Sequence, residues 1–351
     1  MSIFSVVNIA DALFEVPTGV LSDMVGRRNT VILGAISAVF YSVFYALGRN
    51  YWMLFVGAVF QGLSIAFYSG NNDALLHDSL KEVDEKHKFH EHLGKLSSLF
   101  QAALAVSALL GSIPASVSFA LVMWLSVISQ FTCFILSFQI TEPQIHIEKS
   151  TNIYIHMKEA IKLFFTNKKL RFVSIASTWG SAIGEATFQF QSAFYNILWP
   201  LWAIGFAKML SYIGATFSFY FSGRIINKFN EIRSLLAGSI YNKIVNIIAT
   251  LFPSVLSPFL MSSTSLTYGV STVSKNSLLQ KEFTPHQRAT IGSLNSLLES
   301  VMTAIFAFSI GLIGDGLGPA KALFVSQIIS LVATYMYWVV FRDDKKIYGI
   351  F

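Results

Sequence analysis

Eight ionisable residues stand inside otherwise apolar stretches of this chain: Asp11, Glu15, Asp73, Glu185, Lys208, Lys243, Lys275 and Glu299. An ionisable side chain in such surroundings is expensive to keep and marks a pathway for protons, ions or solute. Asn8 precedes Asp11 by three residues and Glu15 follows it by four, so the three form one polar stripe on a helix face. Buried carboxylates of this kind take up and release protons near neutrality, which makes Asp11 and Glu15 the coupling candidates. The alternative for them is a structural pair with Lys208 or Lys243. Around Glu185, Gln189 and Gln191 alternate with Phe188, Phe190 and Phe194, a mixture suited to the wall of a cavity for an amphipathic solute. Asn72 and Asp73, next to Asn71, are read as lining the same path, with Lys208 and Lys243. Glu299 matches Gln101 in an internal repeat and is read as a packing position.

A second group carries a fixed spacing. Gly19-Val-Leu-Ser-Asp23-Met-Val-Gly26-Arg27-Arg28 joins two apolar stretches. Gly19 permits close helix approach, Gly26 permits a tight turn, Asp23 accepts hydrogen bonds at a helix end, and Arg27 bridges carboxylates, with Asp78 as its partner. A third group, His77 and then His87, His90 and His92, has the look of a metal cluster. The other histidines, His146, His156 and His286, are scattered singly, so this stretch is read as a solvated amphipathic loop and no metal is expected. No phosphate-cradling glycine loop is present, and no cofactor is expected.

The elements that position these residues follow from composition. Of 351 residues, 54% are hydrophobic and only 13% are charged, about half the share usual in soluble domains. Lipid must therefore be the solvent for most of the surface, which excludes a soluble enzyme and a nucleic-acid binder. A crossing needs about 20 apolar residues, and stretches of that length fall at 1–22, 30–48, 51–72, 95–113, 117–139, 171–195, 199–222, 234–251, 256–276, 291–313 and 319–341. This predicts an all-α membrane protein with 11 transmembrane helices, a bundle over residues 1–140, a linker over 141–170 and a second bundle over 171–351. Alternating the spans places 21 of the 25 lysines and arginines on one side, which assigns that side, and the C-terminus, to the cytoplasm.

The two bundles repeat one another. Gly19 to Asp23 with Gly34 and Ile36 matches Gly223 to Asn227 with Gly238 and Ile240 at an offset of 204. Leu75-Leu76-His77-Asp78 and the stretch from Gly94 recur at nearly the same offset, at Leu278 and Gly292, which indicates duplication. The span at 171–195 has no counterpart, so a 5+6 arrangement is predicted, one N-terminal helix short of a 6+6 design.

The G-x-x-x-D-x-x-G-R-R pattern at Gly19, Asp23, Gly26, Arg27 and Arg28 resembles the loop between helices 2 and 3 of the major facilitator superfamily. Glu15-Val-Pro-Thr-Gly19, the stretch from Ser69 to Asp78 and Thr284-Pro285-x-x-Arg288-Ala289-Thr290 are similar to a bacterial subgroup. The resemblance implies two helix bundles related by a pseudo-two-fold axis and secondary active transport of a small solute by alternating access. It assigns Gly19, Asp23, Gly26, Arg27, Arg28 and Asp78 to a conformational latch. It further implies efflux, a multi-pass place in the cytoplasmic membrane, a monomeric state, and protons with a small molecule as partners. The helix 5 pattern of drug antiporters is out of register here, at Gly111 and Pro114. A non-transporting remnant and a membrane-embedded enzyme built on the histidines are the rival readings.

Overall fold

A computed structural model describes residues 1–69, 71–85, 89–143, 166, 168–281 and 288–348. Among the described residues the regular structure is helical throughout. The chain divides into two compact units, residues 1–97 with 110–149, and residues 98–109 with 150–351.

In the first unit α1 (Ser2–Val25) runs through Pro17 and stops at Gly26, where α2 (Arg27–Leu47) begins at once. Asn50 caps α3 (Tyr51–Tyr68) by accepting the Met53 N–H at 2.9 Å. The 51–72 stretch, expected as one span, ends at Tyr68. The chain restarts as α4 (Asn71–Glu82). Then come α5 (Phe89–Val117), whose residues 98–109 are counted with the second unit, and α6 (Phe119–Ser137).

Helix α3 packs against both α1 and α2, and α2 also packs on α6. Gly62 makes the first contact possible: a Cβ there would stand 2.5 Å from the Val7 carbonyl oxygen. Hydroxyls reinforce the approach, as membrane packing favours. Thr18 donates to the Ala66 carbonyl at 3.0 Å and Ser64 to the Gly34 carbonyl at 2.9 Å. Over Phe119–Leu136 no residue of α6 is buried, and Trp124, Leu125, Ile128 and Phe131 are exposed. That surface suits lipid and not water.

The second unit contains α7 (Lys168–Leu198), α8 (Leu201–Phe229), α9 (Glu231–Leu251), α10 (Ser257–Ser263), α11 (Tyr268–Lys281), α12 (Arg288–Leu317) and α13 (Pro319–Tyr348). Helix α7 packs on α12 and α13, α8 on α11, and α9 on α11 and α13. Leu170, Val173, Ile232, Leu235, Leu278, Tyr337 and Val340 close the core at one end. The 256–276 stretch, expected as one helix, is three pieces: α10, a 3₁₀ turn at Thr264–Thr267, and α11. The cause is a run of hydroxyls that bond back three residues, Ser263 to Leu260 and Thr264 to Met261 at 2.6 Å each, tightening the turn.

Among the described residues seven helical stretches are long and apolar enough to cross a membrane: Arg27–Leu47, Tyr51–Glu82, Lys95–Val117, Phe119–Ser137, Glu231–Leu251, Asn295–Leu317 and Pro319–Val340. The other predicted spans coincide with α1, α7, α8 and the α10–α11 pair, which carry Asp11, Glu15, Glu185, Lys208 and Lys275.

Candidate functional site

The α1–α2 joint is built around Gly26, whose φ of +94° an L side chain rarely adopts. A Cβ there would also lie 2.8 Å from Glu142 Oε1 and push that carboxylate aside. Glu142, just after α6, turns its carboxylate onto the start of α2. The Arg27 N–H donates to Oε1 and the Arg28 N–H to Oε2, both at 2.7 Å. One carboxylate therefore satisfies two of the four open N–H groups at a helix start, where the dipole also favours an anion. This cap was not anticipated; the signal was an acidic residue closing the last apolar stretch of the first bundle.

The Arg27 side chain leaves the cap and enters a network. Its Nη1 donates to Ser22 Oγ at 2.8 Å, and Ser22 donates to Asn71 Oδ1 at 2.7 Å. Asn71 Nδ2 returns to the Arg27 carbonyl at 3.1 Å. Arg27 Nε faces Asp78 Oδ2 at 3.6 Å, and His77 Nδ1 lies 3.3 Å from the other oxygen of Asp78. Arg28 donates to the Phe138 carbonyl at 3.1 Å. The structure thus brings Gly26, Arg27, Arg28 and Asp78 together and adds Ser22, Asn71 and Glu142. Asp23 belongs to α1, but its side chain lies outside the described residues. Gly19 is a correction: it is exposed, a Cβ there would meet nothing within 4 Å, and the neighbouring Thr18 and Gly62 make the close contacts instead.

The second bundle repeats this joint. Asn230 stands 204 residues after Gly26 and adopts φ +74° and ψ 155°, against +94° and 159°. Asparagine tolerates positive φ better than other non-glycine residues. Its own Oδ1 accepts the Ile232 N–H at 3.2 Å, so α9 is capped from within the turn.

Asp11 and Glu15 lie one turn apart on α1, both half-buried. Asn8 donates to the Phe4 carbonyl at 2.8 Å. Asn72 and Asp73 are exposed on α4, and Asn71, not Asn72, is the residue built into the network. On α7, Glu185 and Gln189 are exposed and joined, Gln189 Nε2 donating to Glu185 Oε1 at 2.9 Å. Lys208 donates to the Phe188 carbonyl and sits 3.4 Å from the centre of that ring. Lys243 on α9 has no hydrogen-bond partner among the described residues. Glu299, read from sequence as a packing position, shares Ser181 and Lys275 as neighbours. His87 and the side chain of His90 lie outside the described residues, and no metal-ligand cluster occurs among the described ones.

Residues 1–307 match the sequence model of the Major Facilitator Superfamily. The chain belongs to that superfamily. Its fold is similar to a mutant of the nucleoside transporter NupG, with a TM-score of 0.78 at 11% identity over 97% of this chain and 90% of that one. It is also similar to a variant of the E. coli fucose:proton symporter FucP (TM-score 0.60, 12% identity, 97% and 90% covered). The human organic anion transporter MFSD10 gives a TM-score of 0.67 at 14% identity over 96% of this chain and 83% of that one. An uncharacterized transporter of Buchnera aphidicola subsp. Schizaphis graminum is 29% identical over 166 residues. That match spans 46% of this chain and 40% of the relative.

Proposed function

We propose that this member of the superfamily is a secondary active transporter that moves a small amphipathic solute by alternating access, coupled to protons, in the direction of efflux. The Arg27 network carries the reading. It ties α1, α2 and α4 through a 3.6 Å ion pair and three hydrogen bonds of 2.7–3.1 Å between polar groups, contacts that break and re-form at low cost. Asp23, Gly26, Arg27, Arg28 and Asp78 form the latch. Asp11 and Glu15 carry the coupling protons. Asn8, Asn72, Asp73, Glu185, Gln189, Lys208 and Lys243 line the solute path. The charge asymmetry supports a multi-pass place in the cytoplasmic membrane with the C-terminus inside, and the reading is of a monomeric carrier and not of an enzyme. That the names of the solved neighbours include a nucleoside carrier, a fucose:proton symporter and an organic anion carrier supports a solute of that size.

The test is solute uptake into proteoliposomes driven by an imposed pH gradient. Wild-type protein accumulates solute, Arg27→Ala slows it at least tenfold, and Asp11→Asn with Glu15→Gln abolishes the dependence on the gradient. Gradient-driven uptake that persists in the double variant refutes the coupling assignment.

A further inference from the structure

The exposed face of α8 changes character along its length. Phe217, Phe221, Arg224 and Lys228 follow one another at spacings of four, three and four, which puts them on one helix face. All four are exposed, as is Tyr220 beside them. The two rings come first, and the two cations occupy the last turns of the helix. At 1.5 Å per residue the stripe runs about 16 Å, about the hydrocarbon depth of one bilayer leaflet. Each cation leans back on a ring. The Arg224 guanidinium carbon lies 5.6 Å from the centre of Phe221, and Lys228 Nζ lies 5.3 Å from that of Phe229. Side chains of this kind keep their stems in apolar surroundings and hold their charges at the membrane surface.

Where α8 turns into α9 the surface is hollow. A cavity of about 370 Å³ is lined there by Asn227, Lys228, Phe229, Asn230, Glu231 and Arg233. Arg233, exposed on α9, brings a third cation to it. A Cβ added at Gly223 would meet nothing within 4 Å, so the approach beside Arg224 is open as well. Glu231 is the acidic residue of the lining, and its Oε1 is engaged by the Ser277 hydroxyl of α11 at 3.1 Å. Among the described residues Arg224, Lys228 and Arg233 form no ion pair within 4.0 Å and donate no side-chain hydrogen bond. The matching joint of the first bundle is filled differently. There Glu142 brings a carboxylate onto the start of α2, and Arg27 faces Asp78. At the second joint the cap is the neutral amide of Asn230. Three cations therefore surround a hollow whose one carboxylate is already held.

We propose that the α8–α9 turn binds one anionic phospholipid, its phosphate among Arg224, Lys228 and Arg233 and an acyl chain laid along Phe217 and Phe221. Such a site needs the chain to span a membrane and does not depend on what the chain carries. Charge sets the sign of the ligand, and the residue types set its group: a guanidinium forks onto two phosphate oxygens, and a lysine adds a point charge. Basic hollows at the membrane surface select anionic headgroups in this way. The volume is that of a small-ligand site, with room for a phosphate and the alcohol it carries. The aromatic stripe decides between a lipid and a soluble phosphate. It leads from the hydrocarbon to the cations on one exposed face of one helix, and a free phosphate has no use for it. Phe229 and Asn227 complete the wall around the headgroup.

The experiment is native mass spectrometry of the purified full chain in detergent, titrated with dioleoyl phosphatidylglycerol and, separately, with dioleoyl phosphatidylcholine. One phosphatidylglycerol should bind about tenfold or more tighter than phosphatidylcholine. Each cation removed should weaken it about fivefold, so Arg233→Gln loses about fivefold and Arg224→Gln with Lys228→Gln about 25-fold. Lys81→Gln removes the same charge from an exposed position on α4 and should leave binding unchanged. Phe217→Ala with Phe221→Ala keeps every charge and should also weaken the lipid. All these positions are exposed, and each variant is read with an unfolding midpoint close to wild type. Equal binding of the two lipids overturns the proposal, as does an Arg224, Lys228 and Arg233 triple glutamine variant that binds like wild type. Lys81→Gln losing as much as Arg233→Gln would show a general effect of charge and overturn the site. Glycerol 3-phosphate that displaces the lipid at equal concentration, with no loss in the phenylalanine variant, would make this a site for soluble phosphate and overturn the lipid assignment.

Discussion

Removing the Glu142 carboxylate should loosen the α1–α2 joint in a measurable way. Glu142 accepts two backbone N–H bonds at 2.7 Å, from Arg27 and Arg28. A side-chain cap contributes about 0.5–2 kcal/mol, and an anion at a helix start adds about 0.3–1 kcal/mol. Glu142 is half-buried, so water meets part of the loss, and Glu142→Ala should cost ~1.5 kcal/mol in all. At about 2–4 °C per kcal/mol for a unit of this size, the unfolding midpoint falls by about 3–6 °C. Glu142→Gln keeps one acceptor oxygen and should lose about half as much. The measurement is loss of helical circular dichroism on heating in detergent. Arg27→Ala is the control, because it removes the side-chain network and leaves the capping N–H in place. The double variant Arg27→Ala with Glu142→Ala should therefore show nearly additive losses. An unchanged midpoint in Glu142→Ala, or a glutamine variant as damaged as the alanine one, would show that the carboxylate does not cap α2.

Further outcomes follow from the same geometry. Gly62→Ala sets a Cβ against the Val7 carbonyl and should destabilise the first unit by about 1–3 kcal/mol, seen as a lower unfolding midpoint. Asn230→Ala loses the cap and strains a positive φ, at about 2 kcal/mol. Asn230→Gly keeps the backbone conformation and costs only a few tenths by about the usual glycine cap difference. Denaturant unfolding separates the two. Leu170→Ala empties a fully buried position and should cost about 2–5 kcal/mol, checked by chemical denaturation.

Comparison of residues shows what was legible before the fold. The joint at Gly26 was readable because turn chemistry is local: a glycine between two apolar stretches and an offset of 204 to Asn230 together locate both turns. The pairing of Arg27 with Asp78 was readable from charge and position. Glu142 was not, because its target lies 115 residues earlier and its role depends on where α6 ends relative to α2. Asn71 and Asn72 are adjacent in sequence, yet one is buried in the network and the other is exposed. A helix turns by about 100° per residue, so neighbours face different ways.

By itself, then, the sequence determined a helical membrane protein, its repeat, its charge asymmetry and its superfamily. Those properties come from short-range demands: lipid requires every backbone group to be satisfied within its own helix, and hydropathy and turn residues are read a few positions at a time. Only the tertiary structure decided that Gly19 is open while Gly62 is tight, that a carboxylate from beyond α6 caps α2, and that Lys275 on α11 donates to Ser181 on α7. Each of these depends on the rotation and depth at which one helix meets another, and that is set by packing across the unit, which no local stretch of residues contains.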